Sequence, residues 1–116
     1  MAVKHQSKVI FEIGLDENRI PEKMTWSADD AGIKDEPAEA LMISVWNDEK
    51  KETLRMDLWT KDMKLKEMQV FFYQTLKSMA DVYRRASNDD KMADTMLDFV
   101  DYFHEKLELD KFTSNE

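Results

Sequence analysis

Two hydrophobic periods divide this chain. Up to Trp59 apolar and polar positions largely alternate, the period of a strand with one buried face. Beyond Thr60 the apolar positions recur every three to four residues, the period of an amphipathic helix. Residues 8–15, KVIFEIGL, set Val9, Phe11, Ile13 and Leu15 against Ile10, Glu12 and Gly14 and predict a first strand. Asp16 to Arg19 and then Pro21 form a polar connection to a short second strand, Met24 to Ser27. Residues 29–38, DDAGIKDEPA, hold one of the two Gly and one of the two Pro and predict a loop. Leu41 to Trp46 and Thr53 to Trp59 alternate on either side of the polar run Asn47 to Lys51 and predict a hairpin. Glu36 to Leu41 leaves open a short helix with Pro37 at its first position, which would start the strand later than Leu41.

In the second half Leu65, Met68, Phe72, Leu76, Met79 and Tyr83 share one helical stripe, widened by Phe71, Val82 and Ala86. Asp81 stands four residues ahead of Arg85, and Arg84 and Arg85 suit a helix C-terminus. Ser87 and Asp90 have the spacing of a capping box for a second helix, whose stripe is Met92, Met96, Phe99, Val100, Phe103 and Leu107. The short connection predicts antiparallel neighbours. Strands grouped ahead of helices predict an α+β domain. Its expected form is an antiparallel sheet of about four strands followed by a C-terminal antiparallel helical hairpin packed on one face. The chain reads as one domain over residues 1–116, ordered from about Ser7 to Leu109, with a tail in which Phe112 is the one apolar residue.

Composition narrows the function classes. Acidic residues outnumber basic ones 25 to 17, a net charge of −8, and no basic cluster exceeds two consecutive residues. Binding to nucleic acid or to anionic membranes rests on clustered Lys and Arg and is disfavoured. The absence of Cys excludes disulfides, thiol catalysis and Cys-ligated metals. No apolar run suits a signal peptide or a membrane span, so the expected compartment is the cytoplasm, without membrane insertion.

Candidate chemistry is sparse. Gly14 and Gly32 stand too far apart for a phosphate-cradling loop. The two His, His5 and His104, are not spaced as a zinc pair, and Asp29-Asp30 and Asp89-Asp90 suit turn and cap positions. No catalytic, cofactor-binding or metal-ligating residue is assigned. Two patterns stand out as partner-binding candidates. Asp94, Asp98, Asp101 and Glu105, spaced 4, 3 and 4, form one acidic stripe on the second helix. The stripe is either a solvated face or a docking surface for a basic partner. In the hairpin, placing Ile43, Val45, Leu54, Met56 and Leu58 inside turns Met42, Trp46 and Trp59 outward. Those residues are either covered by the 29–38 segment or the tail, or they form an interface, with a second copy of the chain as one candidate partner.

The segments GLDENRIPEKMTWSADDAG (14–32), SVWNDEKKETLRMDLWTKDM (44–63), MQVFFYQTLKSMADVYRRA (68–86) and MADTMLDFVDYFHEKLE (92–108) together resemble the GldC-like family of gliding-motility-associated proteins. LWTKDM (58–63) and GLDENR (14–19) are the most specific parts of the resemblance. The resemblance implies a small cytoplasmic protein of Bacteroidota, tied to a motility machinery that is linked to protein secretion, with no enzymatic activity and no catalytic residues to transfer. The expected function is a non-enzymatic accessory or adaptor protein that binds other proteins, components of the gliding or secretion machinery among them. The alternative is a small-ligand-binding domain or a carboxylate-based enzyme with a pocket between sheet and helices.

Overall fold

The computed structural model describes residues 2–110. It is α+β, with five antiparallel strands followed by two helices, and it divides into two compact units, Met1–Met63 and Lys64–Glu116. The tail residue Phe112 lies outside the described residues.

The first unit holds β1 (Val9–Leu15), β2 (Pro21–Ala28), a 3-10 turn (Asp29–Ala31), β3 (Ile33–Ala38), β4 (Ala40–Asn47) and β5 (Glu52–Trp59). The strands form two sheets, β1-β2-β3 and β4-β5, where one sheet of about four strands was expected. β1 and β2 are joined through Asp16, whose carboxylate accepts the N–H groups of Asn18 (2.8 Å) and Ile20 (3.0 Å) while Arg19 takes a left-handed conformation, φ 63°. The predicted loop over residues 29–38 is instead the 3-10 turn and β3. Gly32, at φ 69°, ends the turn and starts the return strand. Ile33 and Ala38 are the only apolar side chains of β3 besides Pro37, so the segment carries almost no alternation. What makes it a strand is pairing with β2, Met24 opposite Ala38 and Trp26 opposite Glu36. Between Trp26 and Ala28, which opposes Ile33, the register shifts, Asp35 adopts φ 48°, and its N–H donates to Ser27 Oγ at 2.9 Å. Residues 36–38 and 40–41 are strand with a bend at Glu39 between them, and no helix opens at Pro37. The predicted hairpin forms, with β4 longer by Ala40 and Asn47 and β5 longer by Glu52. Met24, Ala28, Leu41 and Thr60 are the buried side chains of this unit.

The second unit is a hairpin of α1 (Leu65–Ser87) and α2 (Asp90–Lys106). At the start of α1 the Glu67 carboxylate accepts the N–H of Lys64 at 3.0 Å. The helix ends on Asn88 in a left-handed conformation, its N–H donating to the Arg84 carbonyl. Asp89, one residue before the predicted capping pair closes, is the cap of α2 and accepts from the Met92 N–H at 3.1 Å. Ser87 serves the connection instead: its hydroxyl donates to the Tyr83 carbonyl and accepts from the Asp89 N–H.

The helices are antiparallel neighbours. Lys66 near the start of α1 donates to the Leu107 carbonyl beyond the end of α2 (2.6 Å), and Tyr73 lies against His104 with ring centroids 4.6 Å apart. Arg84 near the end of α1 binds Asp90 and Asp94 at the start of α2. Ala80 and Ala93 are fully buried and Val100 nearly so. The apolar stripes are wider than this contact, so Phe72 (40 % exposed), Met79, Met92 and Phe99 (52 % exposed) are not core residues, contrary to the expectation from their spacing. Among the described residues no helix is long and apolar enough to cross a membrane.

Candidate interaction surfaces

The register of β4 and β5 sorts their side chains without ambiguity, because directly opposed residues share a face. Leu41 opposes Leu58, Ile43 opposes Met56 and Val45 opposes Leu54, which makes one face apolar as far as the turn-end pair Asn47 and Glu52. Trp59 opposes Ala40, Asp57 opposes Met42, Arg55 opposes Ser44 and Thr53 opposes Trp46 on the other face. Met42, Trp46 and Trp59 therefore share one face, as expected. They do not form one cluster. Six residues of strand separate the position opposite Trp46 from Trp59, roughly 20 Å at the rise of an extended chain. Between the two rings, Arg55 Nη2 stands 2.5 Å from Asp57 Oδ1 and Nη1 donates to Ser44 Oγ. Trp46 is 59 % exposed, Trp59 is 56 % exposed and Met42 is half-buried.

The opposite face holds a feature that strand alternation alone does not reveal. Its apolar ladder is buried only at its base, on Leu41; Val45, Leu54 and Met56 are about half exposed. The signal lay in the strand count. A hairpin with six large apolar residues on one face and two Trp on the other has more apolar surface than two strands can bury by themselves.

The acidic stripe on α2 is not uniform. Asp94 is drawn to α1, with Oδ1 2.6 Å from Arg84 Nη2, and together with Asp90 it raises the Arg84 pKa above its ordinary value. Asp98, Asp101 and Glu105 remain exposed. Asp101 and Glu105 line a recess with Tyr73, His104, Glu108 and Asp110. There His104 Nε2 lies 3.0 Å from Asp110 Oδ1. Among the described residues no group of three or more His, Asp or Glu converges in a way that holds a metal ion. The helical hairpin also bears an apolar groove of about 630 Å³, lined by Phe71, Met79, Val82, Tyr83 and Met96 with Gln74, Thr75 and Ser78.

No curated protein and no solved structure matches the chain. A family model does, over residues 21–109, a span that includes LWTKDM (58–63) and begins after GLDENR (14–19). That match takes in the paired strands β2 to β5 and both helices, and on it the chain belongs to the gliding motility-associated protein GldC-like family.

Proposed function

We propose that this chain is a cytoplasmic, non-enzymatic accessory or adaptor protein of gliding motility, working through contact with other proteins of the gliding or secretion machinery. The observation that carries this reading is the β4–β5 hairpin, which exposes Trp46 and Trp59 on one face and Val45, Leu54 and Met56 on the other. Large apolar groups exposed on both faces of a single hairpin are unusual on a monomer, and Trp is enriched where binding energy concentrates. Asp98, Asp101 and Glu105 add a negative surface suited to a basic partner. The test uses the full chain as bait in a native lysate of a gliding bacterium. The parent is expected to retain a gliding or secretion component that the Trp46→Ser/Trp59→Ser chain loses, with the circular-dichroism melt of the two unchanged. A parent that retains no such component, or a double variant that retains it equally, overturns the reading.

The groove on the helical hairpin favours a second reading, binding of a small apolar ligand. Its lining includes no carboxylate, so it supports that half of the alternative and not carboxylate catalysis. Saturable binding of an apolar fluorophore that Met79→Glu abolishes supports it; no binding above that of the variant removes it.

A further inference from the structure

The two outer strands of the β1-β2-β3 sheet are built differently. β3 carries the usual protections of an edge: Pro37, Lys34, a left-handed Asp35 and a register shift. β1 carries almost none. It reads VIFEIGL, has no Pro and no Lys, and shifts register only at its end, between Gly14 and Leu15. Six of its seven residues are exposed, Val9, Ile10, Phe11 and Leu15 among them, and only Ile13 is half-buried. An exposed, largely apolar edge of this kind is a template for another strand.

The inner ladder determines what the edge offers. The Asp29 N–H donates to the Lys8 carbonyl, so Val9 and Ala28 form a non-hydrogen-bonded pair. Lys8, Ile10 and Glu12 thus aim their backbone groups at β2. Val9, Phe11 and Ile13 aim theirs at the open edge.

We infer that β1 pairs antiparallel with β1 of a second copy of this chain about a two-fold axis at Ile10, fusing two three-stranded sheets into one. In this register Val9 and the partner subunit's Phe11 exchange both backbone hydrogen bonds, and the symmetric pair does the same. Ile10 meets the partner subunit's Ile10 on the axis. Glu12 stands opposite the partner subunit's Lys8 on the same face, and this ion pair occurs twice. The charges select the register. An axis at Glu12 opposes two like charges, and an axis at Phe11 leaves Glu12 against the partner subunit's Ile10 with no counter-charge. The contact uses the sheet that lacks the exposed Trp pair and is independent of the adaptor reading.

Sedimentation equilibrium of the full chain tests the inference. The parent is expected at twice its 13.8 kDa mass. Glu12→Lys and Lys8→Glu each replace two attractive pairs by two repulsive ones and should weaken the dimer roughly tenfold or more. The exchanged double variant, Lys8→Glu/Glu12→Lys, restores both pairs and should recover the parent dissociation constant to within roughly threefold. Val9→Pro removes an outward N–H that the inner ladder does not use, so it should yield a monomer with the parent far-ultraviolet spectrum. A monomeric parent, a dimer indifferent to the single charge reversals, or a double variant as weak as the singles overturns the proposal.

Discussion

Lys61 Nζ stands 3.2 Å from the Asp16 carboxylate, and the Lys61 N–H donates to the Pro21 carbonyl at 3.1 Å. Residues 58–63 and 14–19, the two runs in which the family resemblance is most specific, meet at this pair. Asp16 organises the β1–β2 turn through its bonds to Asn18 and Ile20, and Lys61 ties the segment after β5 to that turn, with Glu22 a second carboxylate on the same ammonium. The two runs are therefore joined to each other by turn-building contacts; of the exposed Trp residues, Trp59 lies within the 58–63 run and Trp46 toward the other end of the hairpin.

The Asp16 carboxyl is held below the ordinary carboxylate range, chiefly by the Ile20 N–H and further by the Asn18 N–H and Lys61. A depressed folded-state pKa contributes stability that is complete above the unfolded pKa and is lost as the pH falls through the folded value. Carboxylate NMR should find Asp16 titrating below the ordinary Asp range, and Lys61→Met should move it part of the way back. Asp16→Ala should melt lower than Asp16→Asn, since Asn keeps an acceptor for the turn. Ordinary titration of Asp16, or equal melting of the two variants, contradicts this account of the turn.

Ala80 and Ala93 are fully buried, which makes size the sensitive variable at both positions. Ala80→Leu or Ala93→Leu should cost about 1–3 kcal/mol by overpacking. Phe72→Ala and Phe99→Ala remove larger side chains but from sites already 40 % and 52 % exposed, and should cost about 1–2 kcal/mol, below the about 3–5 kcal/mol of a fully buried Phe. Urea denaturation of the four variants measures the order. A Phe variant that loses more than both Leu variants places Phe72 or Phe99 in a core after all.

What was legible in the sequence follows from this contrast. Period two marked β1, β4 and β5, and period 3.6 marked both helices, because burial on one face imposes those spacings. Periodicity says which side of an element is apolar but not how much of that side its neighbour covers. Thus Phe72 and Ala80 both fall on apolar arcs of α1, and only the structure shows that the Ala is buried and the Phe is not. β3 was illegible because its conformation comes from pairing with β2: Pro37, Asp35 and Lys34 are poor strand formers, and a register shift breaks what alternation remains. The Trp46–Trp59 face was legible from alternation; that β4 and β5 form a sheet of two strands among the described residues was not.

The acidic stripe should behave as two parts. Asp98→Lys with Asp101→Lys relieves like-charge repulsion at a spacing worth a few tenths of a kcal/mol per pair, and should leave the melting temperature unchanged or slightly raised. Asp94→Lys sets a cation beside Arg84 and removes its closest partner, so it should lower the melting temperature at low salt and do so less at high salt. If all three positions respond alike, the Arg84 contact contributes nothing to the helical hairpin.

The last prediction concerns the gradient along β4 and β5. Leu41 is 8 % exposed, whereas Leu54, near the Asn47–Lys51 turn, is 52 % exposed. Leu41→Ala should cost about 2–5 kcal/mol. Leu54→Thr keeps a strand-forming residue at a half-exposed site and should cost about 1 kcal/mol or less. Hydrogen exchange in dilute monomer should be slowest near Leu41 and Leu58 and fastest toward Asn47 and Glu52, since solvent reaches the outer pairs first. Acrylamide should quench Trp46 and Trp59 more strongly than Trp26, which is half-buried and stacked at 6.0 Å on Phe11. Adding a partner that uses the hairpin should slow exchange at the turn end and shield Trp46. If Trp46 and Trp59 are as shielded as Trp26 in a demonstrated monomer, the hairpin faces are packed within the chain, and the interface assigned to them is withdrawn.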